Sequence, residues 1–242
     1  SVCEVLARNY SYRNPECYIF ERGNEYIPVE GEVLPNEPER LGFGFYDTET
    51  KADFYDIKGV VEGLLSKLGA QKVEFEKATA ECGFDEFYAF HPGRVAVVKV
   101  NGEEIGIFGE LHPRVLENYG IDARAYVGKI NVPELMASSV AQKTYKPLPK
   151  YPATTRDLSI VCDDDIPAAL LEKTISKAVG SILEKVTLFD VYKGEQIEKG
   201  KKSVSYSISM RSHDGTLTDE QADKAMKKVL EALKAIGAEL RM

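Results

Sequence analysis

The chain has 242 residues, 43% hydrophobic and 10% aromatic, which is enough apolar material for one or two globular domains and too much for a disordered segment. Its formal net charge of −8 excludes a general nucleic-acid coat. No apolar run approaches the roughly 20 residues of a membrane span, and the first nine residues lack the basic start and apolar core of a secretory signal. A cytoplasmic protein with no membrane association is therefore expected.

In chain order, Glu16 to Tyr26 and Arg40 to Tyr46 read as strands. Asp56 to Leu68 is an amphipathic helix with Ile57, Val60, Val61, Leu64, Leu65 and Leu68 at helical spacing, ended by Gly69. Val95 to Val100 and Glu103 to Gly109 flank Asn101-Gly102, a strong hairpin signal. His112-Pro113 opens a short helix, and Asn131 caps another just before Pro133. Together these give an antiparallel sheet with helices laid on it, an α+β pattern. Three prolines between Lys146 and Pro152 then read as a stiff linker. The expected division is a domain over 1–145, a linker over 146–150 and a second domain over 151–242.

The second domain reads strand, helix, strand, strand, helix, strand, the ferredoxin-like βαββαβ order. Asp157 to Cys162 is its first strand. The helix runs from about Pro167 to Val179 and stops at Gly180. Val186 to Tyr192 is the second strand, and Lys193 to Lys202 a polar hairpin loop. Along Ser203 to Arg211, Val204, Tyr206, Ile208 and Met210 alternate with serines, so one face is buried and the other is small and polar. Thr218 and Gln221 form a capping box for the last helix, which Gly237 ends before a strand over Glu239 to Met242. A four-stranded sheet of this kind, with helices on one face, leaves the other face open, and RNA-binding modules use such faces to hold unstacked bases.

The charge is unevenly placed. From Lys150 onward 15 basic residues balance 15 acidic ones, so the first 149 residues carry the whole deficit, which is compatible with a nucleic-acid contact confined to the second domain. Cys3, Cys17, Cys82 and Cys162 have no CxxC spacing and no metal-ligand pattern with His91, His112 or His213, so reduced thiols are expected. Asp163, Asp164 and Asp165 read as an acidic helix start, not a metal site. His91 and Arg94 flank a Pro92-Gly93 turn and are expected to bond backbone groups at a subunit contact. His112 is expected to be a hydrogen-bonder at its helix entry. No Ser or Cys stands in a nucleophilic constellation.

Several motifs, taken together and in order, carry a resemblance. Phe20-Glu-Arg-Gly23, Phe90-His-Pro-Gly-Arg94 and Gly106-Ile-Phe-Gly-Glu-Leu-His-Pro113 resemble the synthetase-like core of the β subunit of bacterial phenylalanyl-tRNA synthetases. Tyr151-Pro-Ala-Thr-Thr-Arg-Asp-Leu158, Leu188-Phe-Asp-Val-Tyr192, Gly200-Lys-Lys-Ser203 and Thr216-Leu-Thr-Asp219 resemble its ferredoxin-fold anticodon-binding domain. The family carries further domains upstream, so the resemblance implies a C-terminal portion of such a subunit. It also implies a class II synthetase-like fold over 1–145 that lacks the catalytic arginine pair, packs on the catalytic α subunit in an α2β2 assembly and is inactive alone. The complete synthetase uses ATP and magnesium, and no cofactor or metal is expected in this portion. For the second domain the resemblance implies contact with the first anticodon base of tRNA(Phe) through Asp190, Tyr192 and Ser203. Tyr192 would stack, Asp190 would accept from a guanine edge, and the Ser203 hydroxyl would approach closely. Lys193, Lys199, Lys201 and Lys202 flank this patch within reach of phosphates. Two other readings remain at this point: a ferredoxin-like regulatory module binding a small metabolite, and a stand-alone enzyme built on the first domain.

Overall fold

In this computed structural model, residues 2–50, 52–140, 145, 147–212 and 214–241 are described. Lys146 of the expected linker, His213, and Met242 of the expected last strand lie outside them. The chain divides into two compact units, residues 1–144 and 145–242.

The first unit opens with helix α1 (Val2–Ser11), followed by strands β1 (Glu16–Asn24) and β2 (Glu39–Asp47). Helix α2 (Phe54–Leu68) starts in a capping box, in which the Asp53 side chain accepts from helix backbone and Asp56 returns the bond to the cap. Gly69 ends it in the left-handed region at φ 74°, which only glycine adopts without penalty. After β3 (Val73–Lys77) come β4 (Phe90–Val100) and β5 (Glu103–Leu111), joined by Asn101 and Gly102 at φ 55° and 91°. Both values are positive, as the expected tight hairpin requires. Helices α3 (Pro113–Asn118) and α4 (Val132–Ser138) bracket β6 (Ala125–Asn131). Asn131 does occupy the cap of α4, but its side chain makes no capping hydrogen bond there, contrary to expectation.

All six strands pair antiparallel in the order β1-β2-β6-β5-β4-β3. Both faces of this sheet are covered. Ile57, Val61 and Leu65 of α2 pack on Phe43, Phe45, Val98 and Phe108 on one side. Leu6 of α1 packs with Tyr46 and Leu111 on the other.

The second unit contains β7 (Thr154–Asp163), α5 (Ala168–Val179), β8 (Leu183–Tyr192), β9 (Lys201–Met210), α6 (Asp219–Lys234) and β10 (Glu239–Leu240). Its strands lie in the order β10-β7-β9-β8, all antiparallel, which is the ferredoxin-like arrangement. One face carries the core: Leu158 and Ile160, then Val204, Tyr206, Ile208 and Met210, are sealed by Leu171 and Ile175 of α5 and Val229 and Leu233 of α6. Each fully buried aliphatic side chain here contributes about 1.5–3 kcal/mol relative to exposure. Burial raises the Tyr206 phenol well above its ordinary range, and its hydroxyl donates to Ala168 O. The Thr218–Gln221 capping box holds α6 as expected, with both reciprocal bonds formed. Among the described residues no helix is long and apolar enough to cross a membrane, and no cluster of three or more metal-ligating side chains occurs.

Candidate nucleic-acid interface

The face of the second sheet turned away from α5 and α6 is built by strand alternation. On β9 it presents Lys201, Ser203, Ser205, Ser207 and Ser209, because the intervening residues point into the core. Opposite them on β7 stand Asp163, Val161, Ser159, Asp157 and Thr155. Ser203 and Ser205 in the middle of this face are buried, and Ser159 Oγ and Ser205 Oγ share a hydrogen bond of 2.8 Å.

On β8 the alternation is broken. Leu188 faces the core opposite Tyr206, and strict period two would carry Asp190 and Tyr192 to that same buried side. A bulge intervenes between Leu188 and Asp190, with Phe189 as the extra residue. Past it, Asp190 pairs with Ser205 and Tyr192 with Ser203, so both arrive on the helix-free face. Asp190 is exposed, and Tyr192 is half-buried.

Tyr192 is not bare. The Arg241 guanidinium, arriving from the far edge beyond β10, lies 5.4 Å from the ring centroid. Arg241 Nη2 donates to Gln196 Oε1 at 3.0 Å. The tip of the ring also rests against the backbone of Gly194: a Cβ there would sit 2.3 Å from the tyrosine oxygen. Gln196 and Arg241 further line a cavity of about 520 Å³ that continues along the same face past Val161, Asp163, Lys201 and Glu239.

Ser203 lies beside Tyr192 as its cross-strand partner but is only 1% exposed, and its Oγ has no hydrogen-bond partner among the described residues. Buried hydroxyls in native structures are normally satisfied, so this one departs from the usual pattern. The lysines are distributed differently. Lys193 is ion-paired with Asp164, whose carboxyl it holds below the ordinary range. Lys201 pairs with Glu198 at 2.7 Å, which raises the lysine and lowers the glutamate. Lys202 is opposite Cys162, on the helix side of the sheet, and donates to Asp164 O at 2.9 Å. The structure thus brings Asp190, Tyr192 and Ser203 together and places Lys201 on their face. Lys202 is set on the other face, and Lys193 is engaged at the hairpin base. Sequence reasoning missed Arg241 and Gln196, because Arg241 meets Tyr192 and Gln196 across separations of 49 and 45 residues.

In the first unit the expected backbone-bonding role of Arg94 is corrected. It reaches the buried Glu110 carboxylate, with Nη2 donating to Oε1 at 2.9 Å and Nε 2.6 Å from Oε2. Glu110 stands on the adjacent strand and is nearly sealed, so it needs a charged partner, whereas backbone groups do not. His91 and His112 do serve local backbone, accepting from Gly93 N and Arg114 N, both at 3.1 Å.

Two family models match the chain. Residues 1–132 match "Phenylalanyl tRNA synthetase beta chain CLM domain" and residues 149–241 match "Ferredoxin-fold anticodon binding domain". Among curated proteins, the chain is 42% identical to the phenylalanine–tRNA ligase β subunit of Clostridium acetobutylicum over 243 residues, covering 100% of this chain and 30% of that protein. It is 41% identical to the corresponding subunit of Symbiobacterium thermophilum, covering 98% of this chain and 27% of that protein. The Clostridium tetani subunit is 42% identical, at 100% and 30% coverage. The chain therefore spans less than a third of the length of these relatives.

Proposed function

The chain belongs to the family of phenylalanyl-tRNA synthetase β chains, and on that basis we propose that its second unit holds the first base of the tRNA(Phe) anticodon on the helix-free face of the ferredoxin-like sheet. The observation that carries this reading is the bulge at Phe189, which delivers an aromatic ring and a carboxylate side by side to a face otherwise floored by serines. Single-stranded bases are held by stacking on aromatic planes and by hydrogen bonds to their edges. Tyr192 supplies the plane. Asp190 supplies an acceptor suited to the N1–H and N2–H₂ edge of guanine, and the unpaired Ser203 hydroxyl supplies a further polar contact. Lys201 on the same face, and Lys193 and Lys202 at the hairpin, are the lysines assigned to phosphates in this reading. Their pairings are solvent-exposed and cost little to exchange, so they fit a supporting role in affinity.

The first unit, in this proposal, is a non-catalytic partner-binding core that docks on the catalytic α subunit of an α2β2 synthetase in the cytoplasm. Supporting this, its free edge strand β1 and the loop after it expose Tyr18, Phe20, Tyr26, Val33 and Leu34, with Phe20 80% exposed. The arginines Arg22, Arg40 and Arg94 of the sheet are each engaged by a carboxylate, Glu39, Glu25 and Glu110, which suits a core without the catalytic arginine pair. The complete ligase would then handle ATP, magnesium and phenylalanine on its other subunit, and this chain would support the attachment of phenylalanine to tRNA by gripping the tRNA.

The test is titration of the chain with a phenylalanine anticodon stem-loop at fixed salt, using a stem-loop with its first anticodon base changed as control. Tyr192→Ala is expected to weaken binding roughly 5- to 150-fold, the range of one lost base stack. Unchanged affinity would remove the anticodon role.

A further inference from the structure

The stacking ring of the proposed site is covered. A planar cation lies over the ring on which a base would stack, and nothing in the sequence motifs of the second domain pointed to it. We propose that Arg241 is the second layer of the base-holding site: its guanidinium rests on Tyr192 in the free protein and on the outer face of the inserted base in the complex. This inference rests on the anticodon reading above and adds a residue to it.

Four observations support it. First, the backbone of Arg241 is fixed while its side chain is tethered only at the tip. The main-chain N donates to Ser159 O at 2.9 Å, anchoring the residue to β7, and among the described residues the guanidinium makes one side-chain hydrogen bond, to Gln196. Second, the displacement required is small. Stacked layers are about 3.4 Å apart, so a base between ring and guanidinium needs about 7 Å, against the 5.4 Å present. A rise of roughly 1.5–2 Å, well within side-chain motion, opens the slot. Third, the surroundings disfavour a phosphate. Asp163, Glu198 and Glu239 line the adjoining cavity with Arg241 and Lys201, so among the described lining residues carboxylates outnumber cations three to two. An uncharged base face suffers no repulsion from these carboxylates, whereas a phosphate does. Fourth, Ser203, the cross-strand partner of Tyr192 on the same face, is buried with its Oγ unpartnered among the described residues, a polar group beside the ring of a kind that is normally satisfied.

Arginine suits the position because its delocalised, planar, weakly hydrated cation stacks on π faces, which a lysine ammonium does not. Movement of Arg241 also frees the Gln196 amide, which becomes available to a base edge.

The experiment is the stem-loop titration at fixed salt with the unaltered chain and the Tyr192→Ala, Arg241→Ala and Arg241→Lys variants, each first checked for an unchanged thermal melt. Arg241→Ala is expected to weaken binding at least fivefold, and Arg241→Lys to recover less than half of that loss on a logarithmic scale. Binding of Arg241→Lys equal to the unaltered chain would mean a charge contact and overturn the stacking role. Tighter binding of Arg241→Ala would make the arginine only a competitor for the ring, and unchanged binding of both variants would remove it from the site; either result overturns the proposal. If Tyr192→Ala also binds as the unaltered chain does, the anticodon reading fails and this inference fails with it. If Tyr192→Ala alone is weakened, the anticodon reading stands and only the role of Arg241 is withdrawn.

Discussion

Gly194 offers a way to move the stacking ring without touching it chemically. Its φ is outside the left-handed region, so alanine meets no backbone penalty, but the new Cβ would lie 2.3 Å from the Tyr192 oxygen and 2.5 Å from Cζ. Ordinary contact is about 3.5–4.0 Å, so the tip of the ring must retreat by roughly 1–1.5 Å. That is a swing of roughly 10–15°, inside the ~30° rotamer departure that costs about 0.5–1.5 kcal/mol, so the fold should be little affected. The stack is affected more. A gap of about 0.5–1 Å forfeits a quarter to a half of a contact's attraction. Applied to a stack worth about 1–3 kcal/mol per base, this gives a loss of about 0.3–1.5 kcal/mol, or roughly two- to tenfold in Kd. The assay is a double-mutant cycle by stem-loop titration: Gly194→Ala in the natural background and in Tyr192→Ala. In the second background the methyl has no ring to displace, and Kd should not change further. Equal losses in both backgrounds would refute the reasoning, since the methyl would then be acting on something other than Tyr192.

Two further outcomes concern the first unit. Gly109→Ala places its Cβ 2.3 Å from Arg94 O and 2.8 Å from Val95 Cα, both backbone, and should destabilise by about 1–3 kcal/mol in urea unfolding, whereas Gly59→Ala, with nothing within 4 Å in helix α2, should stabilise by about 0.5–1 kcal/mol; a reversed order would discredit the β4–β5 register. Burial alone would raise the Glu25 carboxyl, but hydrogen bonds from Lys129 and Arg40 outweigh it and hold the group below its ordinary range. A carboxyl depressed in the folded state stabilises above its unfolded value of about 4.3 and loses that contribution as pH falls through the folded value. Glu25→Gln should therefore lower the melting temperature at neutral pH and flatten the acid limb below about pH 4.3; an acid limb of unchanged slope would show that the cluster contributes nothing.

Much of the architecture was legible because it is encoded over a few residues. The period-two serine strand of β9, the Thr218–Gln221 capping box, the Asn101–Gly102 turn and the glycine stop of α2 are local devices, and the structure shows each of them. Helix α1, β3 and β6 were not anticipated. Each gains its stability from covering or joining the six-stranded sheet, as with Leu6 of α1 against Tyr46 of β2, and such contacts leave little periodic signal in a short segment.

The sequence by itself determined which residue types were available for the site: an aromatic ring, a carboxylate and a serine close to one hairpin. It could not determine on which face the first two emerge, since that depends on one extra residue absorbed at Phe189, and a bulge depends on how β8 registers against β9, which side-chain alternation does not reveal. Nor could it bring Arg241 to Tyr192. That contact joins residues 49 positions apart across the sheet, and it exists only because closing the four strands in the order β10-β7-β9-β8 puts the chain's last turn within one side chain's reach of the hairpin.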